Sequence, residues 1–185
     1  MNKLLYIIII SLLITSCFSS IDKIEVKYKE INEDVFIRLN EGKVISIDYP
    51  FGIDLKNVSA KKISFSSISY WENDIKSIKA SLLYMKENNN LIEVSKTKYK
   101  SVNFLENNRY VLYTQQEIDT SENVQKLFGK YIKKDNIGKK INIGGVKLFN
   151  KENKGLIKKN IKGDSLYLRI RYDKKVENIK VPVEY

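Results

Sequence analysis

The chain reads as a mainly β protein, an antiparallel β-sandwich or barrel-like fold with one amphipathic helix near residues 120–134. Three observations predict this. Most of the sequence beyond residue 23 alternates apolar and polar residues with period two, the signature of half-buried strands. The runs are short and closely spaced, which favours antiparallel pairing over a parallel α/β arrangement. A single segment carries an apolar stripe at helical spacing instead.

The elements follow in order. Ile24, Val26 and Tyr28 alternate with Glu25, Lys27 and Lys29, and Val35, Ile37 and Leu39 form the next strand. Asn40-Glu41-Gly42 turns the chain into a strand over 44–49, and Tyr49-Pro50-Phe51-Gly52 is expected to break that run and open a loop. Ile63 and Phe65, then Ile68 and Tyr70, alternate with serines. The slip of phase at Ser66-Ser67 predicts a β-bulge. Ile78, Ala80, Leu82 and Tyr84 read as a further strand ending at Asn88-Asn89-Asn90, and shorter strands are expected over 91–94, 99–105 and 110–114.

The helix is expected from Val124, Leu127, Phe128, Tyr131 and Ile132, which fall on one face. Asp119 with Glu122 predicts a capping box, Lys133 and Lys134 suit the C-terminal dipole, and Gly138 lies just beyond. The stripe is read as core packing against a sheet. Beyond the helix the β pattern returns. Ile141 and Ile143 lead through Gly144-Gly145 into 146–149 as a tight hairpin, and 156–161 is expected to pair with 165–172 across Gly163-Asp164. In the latter strand Leu166, Leu168, Ile170 and Tyr172 share one face. Ile179, Val181 and Val183 end the chain, in a strand that Pro182 assigns to a sheet edge.

The extreme N-terminus follows other rules. Lys3 supplies a positive start and residues 4–13 are almost wholly apolar, the layout of a secretory signal and too short for a comfortable membrane span. Ile14-Thr15-Ser16-Cys17 then resembles the lipobox of bacterial lipoproteins. The resemblance implies that the Cys17 sulfur is acylated, that residues 1–16 are a signal peptide removed on processing, and that the protein is held in a bacterial cell membrane or outer membrane by its lipid. Phe18, where an Asp can retain some lipoproteins at the inner membrane, permits the outer one. Residues 17–22 become the lipidated N-terminus and a short tether, and 23–185 a single mainly β domain, of ordinary size for one core. Cys17 is the only cysteine, so no internal disulfide is available to an exported chain, and acylation removes a loose thiol from an oxidising compartment.

Composition excludes several chemistries. No histidine is present, which removes Ser-His-Asp and Cys-His catalysis and His- or Cys-based zinc sites. Ser59…Lys62 and Ser95…Lys98 match the Ser-x-x-Lys spacing of penicillin-binding proteins. In a chain rich in both residues such matches arise by chance, and the companion motifs are missing. Glu30, Glu33 and Asp34 cluster where a solvated turn is expected, there is no EF-hand-type loop, and Gly144-Gly145 lacks the context of a phosphate loop. The reading is therefore of a protein that is not an enzyme and needs no cofactor.

Charge is the feature with a claim on function. Residues 126–162 hold twelve lysines, Lys126, Lys130, Lys133, Lys134, Lys139, Lys140, Lys147, Lys151, Lys154, Lys158, Lys159 and Lys162, against only Asp135 and Glu152. Without Lys3 the formal charge of +11 becomes +10, and this one segment supplies all of it. AT-rich codon usage would spread lysines evenly, so the clustering has another cause. A basic face for anionic lipid, an acidic envelope polymer or an acidic protein is one; plain solubility is the other. Nucleic acid is not expected, since arginine is scarce and no nucleic-acid motif appears. The chain is thus read as a lipid-anchored envelope protein, a non-catalytic binding or structural module. The alternatives are an immunity or inhibitor lipoprotein that neutralises a toxin or hydrolase, and a small carboxylate-based hydrolase.

Overall fold

The computed structural model describes residues 24–79, 81–94, 100–133, 140–153, 155–172 and 175–184. Its strands are β1 (Ile24–Lys29), β2 (Asp34–Asn40), β3 (Lys43–Asn57), β4 (Ile63–Glu72), β5 (Ile75–Lys76), β6 (Ser81–Glu87), β7 (Asn90–Glu93), β8 (Lys100–Val102), β9 (Asn107–Glu117), β10 (Lys140–Gly145), β11 (Ser165–Tyr172) and β12 (Lys175–Pro182). Among the described residues three helices accompany them: α1 (Glu122–Phe128), α2 (Val146–Glu152) and α3 (Leu156–Asn160). Two curled antiparallel sheets face each other, the mainly β sandwich or half-barrel arrangement that the alternation predicts. One has the order β10-β2-β3-β9-β6-β7 with β1 also on β3; the other has β12-β11-β4-β5 with β8 also on β4.

The core lies between the sheets. Ile47, Tyr49, Phe51, Ile53 and Leu55 of β3 point inward at every second position and meet Phe65, Ile68 and Tyr70 of β4 and Leu166, Leu168 and Ile170 of β11. Phe51 stacks on Tyr70 with ring centroids 5.2 Å apart, and Phe65 meets Tyr110 edge-on at 5.1 Å. The bulge at Ser66-Ser67 is present: Ile68 pairs with Leu168 but Phe65 with Ile170, so both apolar pairs stay inside. Asn40-Glu41-Gly42 turns as expected, with both Glu41 (φ 49°) and Gly42 (φ 76°) left-handed. Strand β12 is an edge strand.

Several expectations are corrected. The strand does not break at Pro50: β3 runs through it for fifteen residues. Tyr49–Phe51 pairs with β9 but with neither β1 nor β2, so the interruption falls on the neighbours, where a residue without an N–H is tolerated. Ile78 is fully exposed outside any strand, and β6 turns Leu83 rather than Leu82 and Tyr84 into the main core. Leu82 and Tyr84 instead join Ile31, Val111 and Tyr113 in a small cluster on the outer face. Of the strand expected over 99–105, residue 99 lies outside the described residues and 103–105 form a loop beyond β8.

The helix is shorter than its stripe. α1 ends at Phe128 and tightens into a 3₁₀ turn over Gly129–Tyr131, glycine being a poor helix former. Phe128 is buried as predicted, but Leu127 is 43% exposed. No capping box forms, because the Asp119 carboxylate accepts the Ser121 N–H at 2.9 Å and Ser121 occupies the cap position. Neither hairpin forms beyond it. Residues 146–152 are α2, whose first free donors are met from the β1–β2 connection: Val146 N–H donates to the Glu33 carbonyl and Lys147 N–H to Asn32 Oδ1, both at 3.0 Å. Residues 156–160 are α3, and β11 pairs with β12 and β4 instead.

The two ends of the sandwich are built differently. Ile24, where β1 begins, pairs with Asn57, the last residue of β3. Helices α1 and α3 reach the other end, while α2 sits beside Tyr49 at mid-strand: the Gln125 side chain accepts from Val44 N–H at 2.8 Å and donates to its carbonyl at 2.9 Å, and Asn160 donates to the Glu117 carbonyl at 3.2 Å. From Val44 to Asn57 an extended strand covers about 40 Å.

Candidate functional site

The twelve lysines divide into three groups. Lys134, Lys139 and Lys154, like Cys17, lie outside the described residues. Three others are tied to acids. The Lys140 ammonium sits 2.9 Å from the Asp48 carboxylate and 4.2 Å from the Phe36 ring centre, on the outer face of the first sheet. Arg38 grips the same carboxylate with two bonds of 2.8 Å. Burial pushes the Asp48 pKa up, but the Arg38 and Lys140 hydrogen bonds and charges outweigh it and hold the carboxyl below its ordinary range. Lys130 bonds Glu152 at 2.7 Å, which also accepts the Tyr131 hydroxyl at 3.1 Å; these bonds lower the Glu152 pKa and raise that of Lys130. Lys126 lies 3.9 Å from Glu122, one turn away on an exposed face.

The remaining six are the basic site. Lys133, Lys147, Lys151, Lys158, Lys159 and Lys162 are exposed and have no ion pair among the described residues. Helical geometry puts them outward. Val146 and Phe149 of α2 and Ile157 of α3 turn into the core, leaving Lys147, Lys151, Lys158 and Lys159 on the solvent side. The Lys130–Glu152 bond joins the end of the α1 segment to the end of α2, so the helices form one layer.

A cleft of about 830 Å³ opens beside this layer. It begins where β1 and β2 part on either side of Pro50, and α2 and α3 wall its far side through Val146, Asn150, Asn153 and Ile157. Inside, the buried Tyr49 hydroxyl and the Asn150 amide exchange hydrogen bonds at 3.1–3.3 Å, and burial pushes the Tyr49 pKa up. Lys29, Lys158, Glu30 and Glu184 stand around it, two charges of each sign. Gly52 lets the outer wall close in, since a Cβ there would collide with the Lys29 carbonyl and the Ile31 side chain. Sequence reasoning missed this cleft because its lining comes from five separate segments; Pro50 was the one available signal.

The acidic turn is not merely solvated: Glu33 pairs with Lys86 and Asp34 accepts from Asn142 at 2.6 Å. Among the described residues no group of three or more Asp, Glu, Cys or His gathers in a metal-binding arrangement. No helix among them is long and apolar enough to cross a membrane. Comparison with known proteins found no matching family model, no matching curated protein and no matching solved structure.

Proposed function

We propose that this chain is a lipid-anchored bacterial envelope protein whose β domain, a non-catalytic binding module, presents the α1–α3 layer to an anionic envelope polymer. The observation that carries the binding half is the set of six exposed lysines without ion pairs on one layer. A solvated surface of mixed charge would hold acids among them, and an extended polyanion matches a spread of point charges better than a shaped pocket does. The anchoring half rests on the apolar run and Ile14-Thr15-Ser16-Cys17. Together they favour a polymer over the anchoring bilayer. Seven residues from Cys17 to Ile24 reach at most about 25 Å, and the α1 end of the layer, bonded to Val44, lies about 40 Å along β3 from the residue that Ile24 pairs with.

One experiment with two readouts tests this. Cells fed labelled fatty acid should label the wild type and not the Cys17→Ser variant; label persisting in that variant ends the anchoring half. The detergent-extracted protein should be retained on a sulfated polysaccharide matrix at low salt and released as salt rises. Changing Lys133, Lys147, Lys151, Lys158, Lys159 and Lys162 together to Gln should abolish retention. Unchanged retention would overturn the assignment of the layer.

A further inference from the structure

Resting on the anchoring half of that reading, we infer that Phe104 and Leu105 form a membrane-inserting tip that docks the domain on the bilayer carrying its lipid. Both side chains are large, adjacent and exposed, Phe104 at 54% and Leu105 at 61%. They crown the connection from β8 to β9. Isolated exposed apolar residues are ordinary on a soluble surface, but this pair differs in how firmly it is held out.

The loop is over-determined. Leu105 N–H donates to the Asn57 carbonyl at 2.8 Å, and Asn57 N–H returns a bond to the Glu106 carbonyl at 3.0 Å. The Glu106 carboxylate takes the Asn103 N–H at 2.7 Å, the Asn103 amide at 2.8 Å and, on its other oxygen, the Asn108 amide at 2.7 Å. These bonds, with the positive charge of Lys62, hold its pKa below the ordinary range. Leu105 itself sits at φ +60°, a left-handed conformation that a branched apolar residue adopts only under constraint. The structure therefore spends backbone strain to present two apolar side chains to the outside, a pattern associated with functional loops.

Position names the occupant. Asn57, to which the loop is stitched, is also the residue that Ile24 pairs with, so the tip and the start of β1 share one end of the sandwich. With Cys17 only seven residues before Ile24, its acyl chains lie within about 25 Å of this end. Val176, opposite Arg171 near the end of β11, adds a third exposed apolar side chain there, and Lys62 and Lys175 bring exposed positive charge for anionic headgroups. Amphipathic tips of this kind sit at the boundary of headgroups and acyl chains. The tip would hold the domain upright, with the α1 end pointing away from the bilayer.

The test uses washed membranes holding the full chain. If Cys17 is acylated, the wild type offers no free thiol, and a Phe104→Cys variant carries one site for a nitroxide label. A Leu148→Cys variant, labelled on the exposed face of α2, is the comparison. The Phe104→Cys label should be reached several-fold better by oxygen and several-fold worse by a polar nickel chelate than the Leu148→Cys label. Equal access of the nickel chelate to both would overturn the proposal. Failure of the anchoring reading shows separately, as reaction of Cys17 with maleimide in the wild type. In that event the same labels are read in a Cys17→Ser background, where shielding of the Phe104→Cys label upholds the tip and exposure ends it.

Discussion

The two ends of this sandwich are held together by different balances of polar and apolar contact. At the end where β1 begins, a buried polar residue ties the loops: Asn57 donates to the Lys61 and Val102 carbonyls at 2.7 and 2.9 Å and accepts from the Ser59 N–H and hydroxyl at 3.0 and 2.7 Å. At the helical end an apolar knob, Phe128, is fully buried in the main core, beside the Gln125 bonds to Val44. Hydrogen bonds fix direction, and loops tied by them stand rigid with apolar side chains exposed. Apolar burial is non-directional, so helices seated through Phe128, Val146, Phe149 and Ile157 can turn a polar face outward. The first end is thus suited to shaping a tip, the second to carrying a field of charge.

The largest expected effect lies at the helical end. Phe128→Ala should destabilise the domain by about 3–5 kcal/mol, measured by urea denaturation, because a large buried aromatic leaves a cavity. Leu127→Ala, on the exposed neighbour, should change little, and equal losses would show that α1 is seated otherwise. Next comes Asn57→Ala, expected to cost about 3 kcal/mol, since each buried group left without its partner costs about 1–3 kcal/mol. Hydrogen exchange should open the 103–106 loop in that variant while α1 stays protected. If both regions loosen together, the two ends are one cooperative unit and the contrast fails.

A smaller effect is the pH dependence contributed by the charged outer face. The folded pKa of Asp48 is lowered, so its contribution is complete above the unfolded value of about 3.9 and is lost as pH falls through the folded value. The Tm of the wild type should therefore drop below about pH 4 more steeply than that of Asp48→Asn. Identical acid limbs for the two would show that the Arg38–Asp48–Lys140 cluster adds nothing to the fold.

Much of the architecture was legible because alternation reports burial directly. Ile63, Phe65, Ile68 and Tyr70 revealed even their bulge, since two serines cannot both be skipped without a slip of phase. What stayed hidden were features set by neighbours rather than by the residue itself. Pro50 marks an interruption correctly, yet the strand it sits in continues and its neighbours part instead. The short helices α2 and α3 carry too few apolar residues for a period to declare itself, and α2 depends on Asn32 and Glu33, more than a hundred residues earlier. The lysine cluster was visible as composition, but composition could not separate Lys140, bound to Asp48, from the six without ion pairs. Phe104 and Leu105 looked like the end of a strand, and only the Asn57 bonds reveal a loop.

Strand β3 has a mechanical consequence. It reaches both ends of the domain and is paired with β9 at every position from Ser46 to Lys56. Tension between the start of β1 and the helical layer runs nearly parallel to this ladder, so it loads the hydrogen bonds in shear. Many must then yield together, whereas peeling would break them singly. A domain pulled along this axis should give way at its loops and short helices while the β3–β9 pair remains intact.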